Sequence, residues 1–139
     1  MAEGLELEVA TPERELVREK VSEVELRAKN GYMGILPGHA PLLAELGIGH
    51  LTYVMGRGRH TLAVHSGFLE VVDDHVRVLA DAAERAEDID LERARAALRR
   101  AREQVLNPPA GGDNHDALAA LERAQARIEV AEQRQPAAV

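Results

Sequence analysis

The sequence has no cysteine and no tryptophan, and its aromatic residues are Tyr32, Tyr53 and Phe68 alone. Lacking cysteine, it has no disulfides, no thiolate metal sites and no cysteine nucleophile. With so few rings, a core must be aliphatic, and the 45% hydrophobic content is enough to build one. Positive charge is also in short supply. Seventeen basic residues against 24 acidic ones leave a net charge of −7, which argues against a phosphate-backbone binder and hence against a nucleic-acid partner. No apolar run approaches the roughly 20 residues of a membrane helix. The N-terminus lacks the basic-then-apolar pattern of a secretory signal. At 139 residues the expectation is one domain's worth of an acidic, soluble, intracellular protein.

The usual catalytic constellations are missing as well. The six histidines have no metal-ligand spacing; His60 and His65, five apart in a strand-like stretch, point to opposite faces. Ser22 and Ser66 are the only serines, and neither lies in a Gly-x-Ser-x-Gly elbow. There is no glycine-rich phosphate loop. His65-Ser66-Gly67 reads as a bulge or turn between strands. No catalytic residue is assigned, no metal is expected, and on these grounds a self-contained enzyme is not expected.

What is present falls into two segments with different periods. In the first, Leu5, Leu7 and Val9 alternate with Glu6 and Glu8, Val24, Leu26 and Ala28 show the same period of two, Leu62 and Val64 flank Ala63, and Val76, Val78 and Ala80 alternate with Arg77 and Leu79. Thr11-Pro12, Asn30-Gly31, Gly56-Arg57-Gly58 and Asp73-Asp74 supply turn chemistry between these runs. Short strands so closely spaced predict an antiparallel sandwich or barrel. From about Asp81, Ala, Glu and Arg dominate and Gly and Pro vanish until Pro108. Leu91, Ala94, Leu98, Ala101 and Val105 form a stripe at helical spacing, with Asp88 and Asp90 at its start. A break over residues 107–112 precedes a second helix whose expected stripe is Leu118, Leu121 and Ile128. The expected division is a β-sandwich over residues 1–83 and a two-helix unit over 84–139. A hairpin so rich in alanine buries little apolar area and is marginal unless docked, so it reads equally as a moving part or as a fixed one.

Two local features remain. The segment Gly34-Ile35-Leu36-Pro37-Gly38-His39-Ala40-Pro41-Leu42-Leu43 is apolar and stiffened by two prolines, and it suits either a protein contact or a buried crossover. Arginine supplies 15 of the 17 cations, a bias that fits genomic composition as well as anion recognition. Arg123 and Arg127 are stacked like charges with no acid three or four residues away, and Arg93 and Arg100 share a face of the first helix. Four such guanidinium groups suit an anion, although on an ideal wheel all four lie opposite the apolar stripes. Simple stripe-to-stripe packing would point the two pairs apart.

Taken together, the loop 34–43, Ser66-Gly67-Phe68-Leu69-Glu70-Val71, Val76-Arg77-Val78-Leu79-Ala80-Asp81 and Ile89-Asp90-Leu91-Glu92-Arg93-Ala94 resemble, in order and spacing, the epsilon subunit family of bacterial F-type ATP synthases. The resemblance runs from about Leu5 to Arg134. It implies an antiparallel β-sandwich of about ten strands followed by a C-terminal helical hairpin. It also implies a non-catalytic rotor subunit at the cytoplasmic face of the bacterial plasma membrane, held there by other subunits. The partners implied are the gamma subunit and the c-ring, with the alpha and beta subunits added when the hairpin extends to inhibit ATP hydrolysis. Some members bind ATP through an Ile/Leu-Asp-x-x-Arg-Ala motif, which matches Ile89, Asp90, Arg93 and Ala94 here. Further ligand positions of the family correspond to Glu84, Arg100, Arg123 and Arg127. ATP is thus implied as a regulatory ligand, with no cofactor required. The c-ring contact implied by the resemblance falls on Gly31, Tyr32, Met33, Pro37, Gly38 and His39, with one departure: Tyr32 stands where the family usually has an acid.

Overall fold

The computed structural model describes residues 4–108 and 114–133. Seven strands come first: β1 (Leu5–Ala10), β2 (Glu15–Val21), β3 (Glu23–Ala28), β4 (Gly31–Ile35), β5 (Leu42–Met55), β6 (Gly58–Val72) and β7 (His75–Arg85). A 3-10 turn, Ala86–Asp88, leads into helices α1 (Leu91–Leu106) and α2 (His115–Glu132). The turns fall where glycine, asparagine and aspartate sit in the sequence. Gly31 and Gly56 have positive φ, as do Asp73 and Asp74 at the β6–β7 turn.

The strands form one sheet in the order β2-β1-β7-β6-β5-β3-β4, antiparallel except where β1 runs parallel to β7. This sheet folds over on itself into a sandwich, so strands from both ends, such as Val17 and Val21 of β2 and Val24 and Ile35 of β3 and β4, share one core. A backbone bond from Ser22 N–H to the Val54 carbonyl, 2.8 Å, ties the start of the second layer to β5. Among the described residues the strands number seven, where about ten were expected. Three strands are long, at 14, 15 and 11 residues, and each continues through an interruption of its ladder instead of ending there. The β6 interruption lies at Ser66 and Gly67, both at positive φ. His65-Ser66-Gly67 therefore lies within one strand, where pairing skips Ser66 with no change of register, and is neither a bulge nor a turn between strands. A Cβ on Gly67 would stand 2.8 Å from Ala80 Cα, so the close approach of β7 needs a glycine there.

The core is aliphatic and lies between Leu5 and Ala80, with Tyr53 as its one aromatic residue. On β6 the burial pattern departs from alternation, because Leu62, Ala63, Val64 and His65 are all buried. Leu62 and Val64 point into the sandwich, whereas Ala63 joins a second, smaller cluster with Ala86, Ile89, Val130 and Ala131. That outer face of β6 is covered by α2, and α1 packs chiefly on α2. The molecule is therefore three layers deep at this end: sandwich, α2, α1.

The second helix buries Ala124, Ala126, Val130 and Ala131, whereas Leu118 of its expected stripe is exposed and Leu121 and Ile128 are only half-buried. The reason is geometric. A helix with neighbours on two sides needs small residues wherever backbones approach closely, and its leucines fall at the margins. On α1 the stripe holds at Ala94 and Ala101, which are buried.

Candidate functional site

A groove of about 380 Å3 opens where the end of β7, the start of α1 and the middle of α2 converge. Glu84, next to last in β7, lies on one wall. The chain then makes its 3-10 turn, and Ile89 enters the small core, 5% exposed. Asp90 caps α1: its carboxylate accepts from Arg93 N–H at 3.1 Å, and its carbonyl accepts from Ala94 N–H at 3.0 Å. This cap fixes where the first turn begins. One face of α1, carrying Arg93, Ala94, Ala97 and Arg100, therefore lines the groove, and Arg127 of α2 closes the far side.

Six of the eight residues expected at an ATP site thus meet at one place: Glu84, Asp90, Arg93, Ala94, Arg100 and Arg127. Ile89 is an anchor beneath the groove rather than part of its wall. Arg123, one turn before Arg127, is half-buried and lies outside the lining. The wheel argument against a shared anion site does not hold in this geometry. Because the helices touch through small alanines, residues at the edges of the contact reach around to one groove. Asp88 and Ala97 also line it. Ala97 was predictable as the position four after Arg93, between the two arginines.

The charges are unevenly engaged. Arg127 Nε donates to Glu84 Oε1 at 2.5 Å, joining α2 to the sandwich. Both side chains are about one-third exposed, which makes this a partly shielded pair rather than a surface one. Behind Glu84 stands His65, its Nε2 3.7 Å from the same oxygen, an ion-pair distance rather than a hydrogen bond. His65 and then Arg127 hold the Glu84 carboxyl down to about 2, against burial, which pushes it up. Asp88 is within 3.8 Å of Arg14. Arg93 and Arg100 have no acidic partner among the described residues, so two guanidinium forks remain available to an anion. Among the described residues no three His, Asp or Glu side chains converge to hold a metal ion.

The residues expected at a ring contact divide into two places. Gly31, Tyr32 and Met33 begin the edge strand β4, and Pro37, Gly38 and His39 lie in the loop beyond its other end. Tyr32 lies flat on the sheet, stacked on His50 at 4.5 Å with its hydroxyl accepting from His50 N–H at 3.2 Å. Gly49 leaves room for it, since a Cβ there would meet the hydroxyl at 2.6 Å. Met33 packs against the core. The loop is tied to the β6–β7 turn by Gly38 N–H donating to Asp74 Oδ1 at 2.7 Å, with Gly38 at φ 88°. Leu36 and Leu43, at the borders of that loop, are 58% and 75% exposed, so the segment is an exposed apolar surface and not a buried crossover.

The chain matches two family models in succession. One is the beta-sandwich domain of the ATP synthase delta/epsilon chain, over residues 4–86, and the other is the long alpha-helix domain of the same chain, over residues 87–132. It is 60% identical over 134 residues to an ATP synthase epsilon chain of Solibacter usitatus, covering 96% of this chain and all of that one. It is 46% identical over 132 residues to that of Geobacter metallireducens, covering 94% and 96%. Its fold superposes with a TM-score of 0.81, at 26% identity over 96% of this chain and 84% of the other, on a chain in the cryo-EM structure of the Euglena gracilis mitochondrial ATP synthase containing OSCP, F1 and the c-ring. A chain of the Tetrahymena thermophila enzyme shares the fold alone, at 13% identity and a TM-score of 0.56 over 94% and 95% of the two chains. By both family models and by near-full-length identity, the chain belongs to the ATP synthase delta/epsilon chain family.

Proposed function

We propose that the chain is a non-catalytic subunit of the central stalk of an F-type ATP synthase. In this reading it couples ion flow through the c-ring to ATP synthesis and regulates ATP hydrolysis through a hairpin that binds ATP. Its sandwich would sit against the gamma subunit and would meet the c-ring through Gly31, Tyr32, Met33, Pro37, Gly38 and His39, at the cytoplasmic face of the bacterial plasma membrane. The extended hairpin would reach the alpha and beta subunits. No helix among the described residues is long and apolar enough to cross a membrane, so attachment would come through these partners.

One observation carries the nucleotide part of the reading. The groove draws Glu84 from the sandwich, Arg93 and Arg100 from α1 and Arg127 from α2 around one space. A polyphosphate held there by Arg93, Arg100 and Arg127 would bridge all three layers and so favour the docked hairpin by mass action. Calorimetric titration of the full chain with ATP tests this. Wild type should bind, and Arg100→Ala or Arg127→Ala should weaken binding about tenfold or more, since each removes a charge-assisted contact. No binding heat at millimolar ATP would sink the nucleotide reading.

A second reading is favoured by the Glu84–Arg127 pair, which already fastens α2 to the sandwich with no ligand involved. Here the hairpin of the same rotor subunit is regulated without nucleotide. The two readings separate by a cross-link from α2 to the sandwich. ATP should raise its yield under the first and leave it unchanged under the second.

A further inference from the structure

The buried imidazole of His65 lies behind the groove and outside its lining. It is 3% exposed, and neither ring nitrogen has a hydrogen-bond partner among the described residues. A buried polar group left unsatisfied is costly, so its surroundings call for an explanation. The nearest polar atom in the ion-pair geometry is Oε1 of Glu84, the oxygen that also accepts from Arg127.

Strand register produces this arrangement. Ala63 of β6 pairs with Glu84 of β7, and His65 lies two residues along β6, so His65 and Glu84 are diagonal neighbours on one face of the sheet. That is the face which α2 covers, and Arg127 arrives there from above. Three elements thus bring an imidazole, a carboxylate and a guanidinium together at Glu84 Oε1, beside the groove.

We propose that His65 is a positioning residue: it holds the Glu84 carboxylate from beneath, and through it sets Arg127 for docking of α2 and for the nucleotide. The part concerning nucleotide rests on the ATP reading above, while the part concerning docking does not. A shift of under ~1 Å in the ring or the carboxylate converts the 3.7 Å contact into a hydrogen bond donated by Nε2–H. Glu84 Oε1 then accepts from His65 on the sheet side as well as from Arg127. Without His65 the carboxylate is free to rotate toward solvent, and Arg127 loses a fixed partner.

The test contrasts two polar substitutions. In His65→Gln the amide nitrogen falls near the position of Nε2 and reaches Glu84. In His65→Asn it falls near Nδ1 and does not. Hydrogen exchange of the α2 amides is followed in the full chain without nucleotide. His65→Asn should speed exchange about fivefold, His65→Gln should stay within about twofold of wild type, and His65→Asn should add nothing in a Glu84→Gln background. Equal loss of protection in the Gln and Asn variants, or a full His65→Asn effect in the absence of the Glu84 carboxylate, would overturn the proposal. ATP titration of the same proteins forms the second arm, in which His65→Asn should bind more weakly than His65→Gln. If wild type binds no ATP, the nucleotide reading falls with that arm, and the exchange contrast still decides whether His65 positions Glu84.

Discussion

At the scale of single residues, the groove depends on the charge state of Glu84. Its carboxyl is held at about 2 in the folded chain, below the usual 4.5. A group whose folded value is depressed contributes stability that is fully present above its unfolded value and is lost as pH falls through the folded one. His65 stays beside Glu84 when the hairpin leaves, so only the part of the depression that Arg127 supplies belongs to docking, and that part should fade as pH falls below about 4.5 towards 2. Measured as protection of α2 amides against exchange, wild type should lose docking over that window. Glu84→Gln should start with less docking and lose less over the same window. Parallel curves for the two proteins would mean that the Glu84–Arg127 pair contributes nothing to docking.

At the scale of elements, α2 is held by small contacts. A fully buried Leu or Val contributes about 1.5–3 kcal/mol, and alanine much less. Val130, fully buried among Ala63, Ala86, Ile89 and Ala131, is the largest α2 side chain in that small core. Val130→Ala should cost on the order of 2 kcal/mol of docking. The loss should appear as faster exchange in α1 and α2 while the amides of β5 and β6 keep their protection. A uniform change across sheet and helices would show that docking and the sandwich form one cooperative unit.

The same elements show what the sequence could and could not disclose. The short strands Leu5–Ala10 and Glu23–Ala28 were legible because one of their faces meets the core and alternation survives. The run Leu62–His65 was legible as strand through Leu62 and Val64, but not as a stretch covered on both faces, where the burial pattern stops alternating. The stripe of α2 was misplaced onto its leucines for a related reason, because alanine at a close contact looks neutral to any reading by hydrophobicity. Most of the groove was legible by resemblance, through Asp90, Arg93 and Arg100. His65 was hidden because its link to Glu84 is a matter of strand register, and spacing along the chain says nothing about that.

At the scale of the whole molecule, the two cores are unequal and separate. Every buried residue of the larger one lies between Leu5 and Ala80, and the smaller one needs both α2 and the turn at Ala86. A chain ended after Asp88 should therefore still fold. It should give a strand-type circular dichroism spectrum and a single cooperative melt, at a temperature only a few degrees below that of the intact chain. Failure of that fragment to melt cooperatively would show that the hairpin is part of what holds the sandwich together.

The layering of sandwich, α2 and α1 also bears on how the protein is made. Synthesis runs from N- to C-terminus, so α1 leaves the ribosome before the surface it packs on exists. The sheet can close as soon as β7 has emerged, but α1 must wait for the last helix to slide in beneath it. The groove consequently forms only after the sandwich and α1 have emerged. A nascent chain stalled anywhere before Arg127 would carry a finished sandwich and no groove, so occupancy of that groove would report that translation had passed Arg127.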